Sequence, residues 1–312
     1  MMSLAPGVLS AIGNTPLVRL RKVVPSRSAR VVAKLESANP TGSMKDRMAR
    51  SAIEAAEASG RLRAGGTVVE YTGGTTGISL ALVCAAKGYG IEIVYSDAFS
   101  DEKGLTMRAL GANLTIVPSD RKRINEALIK RMIEIARGIS SRPGVFWTDQ
   151  LNNHDAITGY HALGEELWAQ AGGALDAFVH TVGSAHSIHG VARALRTHDP
   201  ALHVVAVEPA ESAVLSGGPS GSHYIEGIGI GFVPPLWHAD EVDEILAVST
   251  GEAKAMARRL AREEGILAGT STGANVVAAL RVADRLGPAA TVATLIVDSG
   301  LRYLSTDLYR AP

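Results

Sequence analysis

With one cysteine in 312 residues, Cys84, the chain can form no intrachain disulfide and no cysteine-based metal cluster. Cys84 lies in the apolar helical stretch 78–87, where it reads as a buried structural thiol rather than a nucleophile. An excess of either charge is also missing: lysine plus arginine and aspartate plus glutamate both total 31. No global field therefore draws the chain to nucleic acid or to an anionic membrane. No apolar run approaches the roughly 20 residues of a membrane span. The opening residues MMSLAPGVLSAIGNTP lack a basic segment followed by a long apolar core. Internal repeats and low-complexity tracts are absent as well. These absences predict a cytoplasmic protein whose partner is a small molecule.

What is present is a composition 46% hydrophobic, enough to bury a large core in two lobes. The runs RVVAKLE, GTVVEY, GIEIVYS, ANLTIVP, DAFVHTV, HVVAVEP and ATVATLIVD read as strands with little polar alternation. Between them fall helical patterns at 48–59, 78–87, 102–110, 123–137, 252–264 and 274–286. Continuous apolar strands separated by helices predict an α/β protein with mostly parallel sheets flanked by helices. The turn-rich segment RPGVFWTDQLNNHD is the expected crossing between the lobes.

In such sheets ligands sit where strands lead into helices, and three loops stand out there. TGGTTG, residues 72–77, places glycines and hydroxyls before a helix, where free N–H groups can meet a carboxylate or phosphate. A dinucleotide site with Asp97 is the weaker reading, because the spacing is not G-x-G-x-x-G. GSAHSIHG, residues 183–190, offers a second set of amides between strand and helix. Its His186 and His189 have no carboxylate or cysteine near them in sequence, so they read as packing or solvent-facing side chains and no metal is expected. GTSTG, residues 269–273, matches a nucleophile elbow, yet no histidine follows Ser271 in the chain to serve it. A fourth stretch, ESANPTGSMKDR, delivers Lys45 to the start of an alanine-rich helix; alone, that is an ordinary solvated lysine.

Taken together and in order, these motifs change that reading. IGNTPLVRL from Ile12, NPTGSMKDR from Asn39, the Thr72 loop, VEPAESAVLSGG from Val207, EGIGIGFVP from Glu226, REEGILAGTSTGAN from Arg262 and DSGLRYLST from Asp298 run nearly end to end. The chain resembles the O-acetylserine sulfhydrylases, or cysteine synthases, among the fold type II pyridoxal-phosphate enzymes related to the tryptophan synthase β chain. The resemblance implies a smaller N-terminal α/β domain, 38–148, and a larger cofactor-binding domain made of 1–37 plus 149–312. Lys45 is then the Schiff-base lysine, an amine that binds the cofactor aldehyde reversibly and carries a proton. Gly183, Ser184, Ala185, His186 and Ser187 align with the phosphate cup. Thr72, Gly73, Thr75 and Thr76 align with the positions that hold the substrate carboxylate, together with Gln150 from across the lobe boundary. Ser271 aligns with the hydroxyl facing the pyridine nitrogen, and Gly227 and Gly229 belong to the run lining the side-chain pocket.

The implied activity is β-replacement on O-acetyl-L-serine through an aminoacrylate, most simply with sulfide to give L-cysteine. Homocysteine or another nucleophile, a serine or threonine dehydratase, and a non-catalytic binding protein of the same fold are the alternatives. A homodimer and a partnership with serine acetyltransferase are implied in the same way. The stretch 224–235 holds no lysine or arginine, which favours the acetylated donor over phosphoserine. Several positions depart from the family pattern. The usual Thr-Ser-Gly-Asn-Thr-Gly is here Thr72-Gly73-Gly74-Thr75-Thr76-Gly77, so Thr75 is expected to replace only in part the asparagine that approaches the cofactor ring. Ala185 and His186 stand where glycines are usual, and Leu301 where glutamate is usual.

Overall fold

Strands without polar alternation need cover on both faces, and the chain supplies it by interleaving helices. The computed structural model of the protein describes residues 6–121 and 124–310. Its strands are β1 (Leu17–Arg19), β2 (Arg30–Leu35), β3 (Thr67–Tyr71), β4 (Gly90–Ser96), β5 (Asn113–Val117), β6 (Val145–Trp147), β7 (Ala177–Thr181), β8 (His203–Pro209), β9 (Glu244–Val248) and β10 (Thr291–Ile296). The helices are α1 (Lys45–Ala58), α2 (Thr75–Lys87), α3 (Asp101–Ala109), α4 (Glu126–Ser140), α5 (Asp155–Thr158), α6 (His161–Gln170), α7 (His186–His198), α8 (Thr250–Arg259) and α9 (Thr270–Leu286).

Two sheets result. A six-stranded sheet runs β1-β2-β10-β7-β8-β9, and a four-stranded sheet runs β5-β4-β3-β6. Every pairing is parallel except that of β1 with β2. Along β8 the side chains alternate between two cores: Val205 packs with Val31 and Val276 on one face, Val204 with Phe178 and Ile188 on the other. The four-stranded sheet has its own core, in which Ile53 of α1, Val68, Ile93 and Met132 of α4 meet. Burying each such side chain contributes about 1.5–3 kcal/mol. Cys84 belongs to this core, fully buried, and burial pushes its thiol up to about 12.

Several elements differ from the sequence expectation. Helices α1, α2 and α9 begin at Lys45, Thr75 and Thr270, not at Met48, Ile78 and Ala274. Glycine, serine and threonine disfavour helix in isolation, but in α2 and α9 they occupy first turns that tertiary packing holds in place. The predicted start of the fourth helix at Arg123 lies outside the described residues, and α4 is seen from Glu126. Strands β1 and β6 are too short to show a pattern, β9 is a half-exposed edge, and α6 carries little periodicity. The RPGVFWTDQLNNHD segment is no simple crossing, since its Val145–Trp147 pairs in parallel with β3 before the chain moves on to α5.

Candidate active site

A cleft lies between the carboxyl ends of the two sheets, and Lys45 lines it. The backbone before it is stitched to the end of β10: Met44 N–H donates to the Val297 carbonyl at 3.0 Å, and Ser43 bridges Asp298. The two residues after it are fixed. Asp46 accepts from Thr41 N–H at 2.8 Å and from the Ser79 hydroxyl at 2.6 Å. Arg47 donates to Glu36 at 2.7 Å and to Glu166 at 2.8 Å. Lys45 is thus held between anchored neighbours. Burial lowers its amine to about 8 against the opposing pull of the Asp298 carboxylate.

The four-stranded sheet supplies one wall. Thr72, Gly73, Thr75 and Thr76 of the loop into α2 line it with Gln150, which follows β6. Thr76 donates to Gln150 Oε1 at 3.0 Å, and Gln150 Nε2 donates to the Tyr71 carbonyl at 2.7 Å. Gln150, the third residue past the end of β6, is therefore tied by hydrogen bonds to the threonine loop of the four-stranded sheet. Beneath it, Glu70 accepts from Thr148 Oγ1 at 2.6 Å and from Gln150 N–H at 2.9 Å, and burial nonetheless lifts its carboxyl to about 7. A Cβ at Gly73 would come within 3.0 Å of the Phe99 ring, so Phe99 occupies the room that a serine there would need.

The six-stranded sheet supplies the opposite wall. Gly183 and Ser184 after β7 line the cleft with Gly227 and Gly229, and a Cβ on Gly183 would lie 2.4 Å from the Gly227 carbonyl oxygen. Ala185 adopts left-handed backbone, φ 69°, immediately before α7. No side chain caps α7, although its first residues His186, Ser187 and Ile188 are buried. Of the other helices among the described residues only α4 and α8 carry a side-chain cap, from Asn125 and Ser249; α2 and α9 are among those that start without one. Free N–H groups at a buried helix start require a partner, and an anion fits them. Ala185, His186, Ser187 and Ser271 do not line the cleft itself; Ser271 is buried in the first turn of α9. His186 and His189 are buried, His186 with Nδ1 2.9 Å from Ser184 Oγ and His189 with Nδ1 3.0 Å from the Glu241 carboxylate.

Sequence reasoning missed Lys103. It comes from α3, lines the cleft almost fully buried, pairs with Glu226 at 2.6 Å and stands 4.4 Å above the Tyr303 ring. The stretch 224–235 lacks a cation, but the cleft does not. Nothing in the pattern around residue 103 distinguishes this lysine from a solvated one, because its partner is distant in sequence. Tyr303 in turn donates to Asp298 at 2.7 Å, and the Thr75 hydroxyl lies 3.5 Å from the same carboxylate. Chemically, the cleft joins an amine of lowered basicity to a hydroxyl-rich loop on one wall and a glycine-lined turn into a helix on the other.

The profile of the pyridoxal-phosphate dependent enzyme family matches residues 8–298. A cysteine synthase of Staphylococcus aureus is 42% identical over 305 residues, covering 97% of this chain and 96% of the relative. Among solved structures, the cysteine synthase of Entamoeba histolytica superposes with a TM-score of 0.92 at 34% identity, over 99% of this chain and 92% of that one. An O-ureido-L-serine synthase superposes with a TM-score of 0.92 at 37% identity, over 98% and 96% of the two chains.

Proposed function

The chain belongs to the pyridoxal-phosphate-dependent enzymes, and from that membership we propose that it catalyses β-replacement on O-acetyl-L-serine, with sulfide as nucleophile and L-cysteine as product. The observation that carries this is the convergence, in one cleft, of Lys45 with its lowered basicity, the hydroxyl-rich Thr72–Thr76 loop and the glycine-lined entry to α7. The cofactor suits these residues. The uncapped, buried start of α7 and the left-handed turn at Ala185 support a phosphate held by amides of Gly183 to Ser187.

Pyridoxal phosphate, when bound, supplies an aldehyde for amines and a ring that accepts electrons from Cα of an amino acid. Lys45 would hold the cofactor through that aldehyde and, as the free amine, would take the α-proton of the substrate. Both tasks need a neutral amine, and a value near 8 leaves a useful fraction neutral at physiological pH. Thr72, Gly73, Thr75, Thr76 and Gln150 receive the substrate carboxylate, with Thr75 also within reach of the cofactor side of the cleft. Ser271, by the family alignment, would face the pyridine nitrogen from the start of α9. Gly227 and Gly229 leave space for the acetoxy group, which departs as acetate before the nucleophile adds at Cβ.

The same reading divides the chain into a smaller unit, 38–148, and a larger one, 1–37 plus 149–312; the separate core of the four-stranded sheet supports it. It also carries a cytoplasmic homodimer and docking of serine acetyltransferase, on the strength of the family resemblance. Among the described residues no helix is long and apolar enough to cross a membrane.

The test is product analysis. Holoenzyme given O-acetylserine should release acetate and, on addition of sulfide, form cysteine. Pyruvate and ammonia released at one rate with or without sulfide would identify a dehydratase instead. Acetate release answered by another nucleophile but not by sulfide would leave β-replacement standing and remove cysteine synthesis.

A further inference from the structure

Behind the entry to α7 lies a buried polar chain that the proposed reaction does not use. His180, near the end of β7, is fully buried, with Nε2 2.8 Å from Ser187 Oγ and Nδ1 3.3 Å from Asn275 Nδ2. Asn275 comes from α9, and two backbone partners fix which way its amide faces. Its Oδ1 accepts from Thr181 N–H at 2.7 Å, and its Nδ2 donates to the Leu295 carbonyl at 2.9 Å. A flipped amide would set donor against donor and acceptor against acceptor. The remaining Nδ2 hydrogen therefore points to His180 Nδ1, which must accept.

A neutral imidazole that accepts at Nδ1 carries its proton on Nε2. Burial, and then the nearby Lys45 charge, hold His180 at about 3, so the ring is neutral across the working range. Nε2–H then donates to Ser187 Oγ. A hydroxyl has one proton, and Ser187, receiving from the histidine, must send its own elsewhere. We propose that His180, oriented by Asn275, is a positioning residue that makes Ser187 a committed hydrogen-bond donor to the cofactor phosphate. The same tautomer rules out a Ser-His-Asn nucleophile here, because an Nε2 already protonated cannot take the Ser187 proton. Donation to a dianion from a hydroxyl polarised by a second hydrogen bond is stronger than from an isolated serine.

This inference rests on the phosphate cup proposed above, and the experiment separates the two. A neutron crystal structure of the holoenzyme should show a deuteron on His180 Nε2, none on Nδ1, and the Ser187 O–D directed at the phosphate. In parallel, the dissociation constant of the holoenzyme for pyridoxal phosphate should rise roughly tenfold to a hundredfold in Ser187→Ala. Binding of phosphate-free pyridoxal should be unchanged, and His180→Ala added to Ser187→Ala should bring no further loss. A deuteron on Nδ1, or a Ser187 O–D aimed at His180, overturns the relay even if Ser187→Ala weakens binding. Unchanged phosphate-dependent binding in Ser187→Ala removes the cup assignment and the relay with it.

Discussion

Lys45 owes its chemistry to its surroundings rather than to its residue type. An ordinary lysine would remain a cation up to about 10.4, whereas burial brings this one to about 8. The rate at which cofactor-depleted protein captures pyridoxal phosphate should therefore climb between pH 7 and 8 and level off above about 9. A rate still climbing steeply at pH 10 would show an unperturbed amine. Gly183 is the second sensitive position. A methyl there meets the Gly227 backbone oxygen at 2.4 Å, and a backbone atom cannot swing aside as a side chain can. Gly183→Ala should cost about 1–3 kcal/mol in stability and weaken cofactor retention, both measurable by thermal unfolding with and without added pyridoxal phosphate.

At the scale of elements, a buried charge cluster ties three of them together behind the lysine. Lys34 of β2 and Arg47 of α1 both pair with Glu166 of α6 at 2.8 Å. Burial alone would raise the Glu166 carboxyl, but hydrogen bonds from Arg47 and Lys34 prevail and hold it at about 2, below its usual 4.5. A depressed carboxyl contributes stability that is complete above pH 4.5 and is lost as pH falls toward 2, on the order of 3 kcal/mol. Glu166→Gln should lower the denaturation midpoint at pH 7 and flatten the loss of stability between pH 4.5 and 2. An unchanged acid profile would show that the cluster does not report on this carboxylate.

The elements also show what was legible in sequence. Long apolar strands such as β8 and β10 were readable because burial on both faces leaves no polar interruption. The loops at Thr72, Gly183 and Gly269 were readable because glycine and hydroxyl residues cluster where strands enter helices. The helix starts inside those loops were not, since packing overrides weak propensity there. Lys103 and Glu226 were equally hidden, as only the approach of α3 to the segment 224–235 makes them a pair. His180 showed no signal at all, because its meaning depends on Asn275 arriving from a distant helix.

At the scale of the whole molecule, the proposed substrate joins the two walls. Its carboxylate is assigned to Thr72, Thr76 and Gln150 on the four-stranded sheet, while the cofactor is assigned to amides on the six-stranded sheet. Substrate binding should therefore draw the sheets together and shrink the cleft. Crystal structures of the holoenzyme with and without a non-reactive amino acid would reveal this, and superposable lobes in the two states would contradict it.

The central claim is that this cleft is a cofactor site organised on Lys45, and borohydride reduction of the yellow holoenzyme followed by peptide mass analysis tests it most directly. The account predicts a pyridoxyl phosphate mass fixed to the peptide containing Lys45. The same mass fixed to Lys103, the other lysine of the cleft, or to a lysine elsewhere in the chain would contradict it.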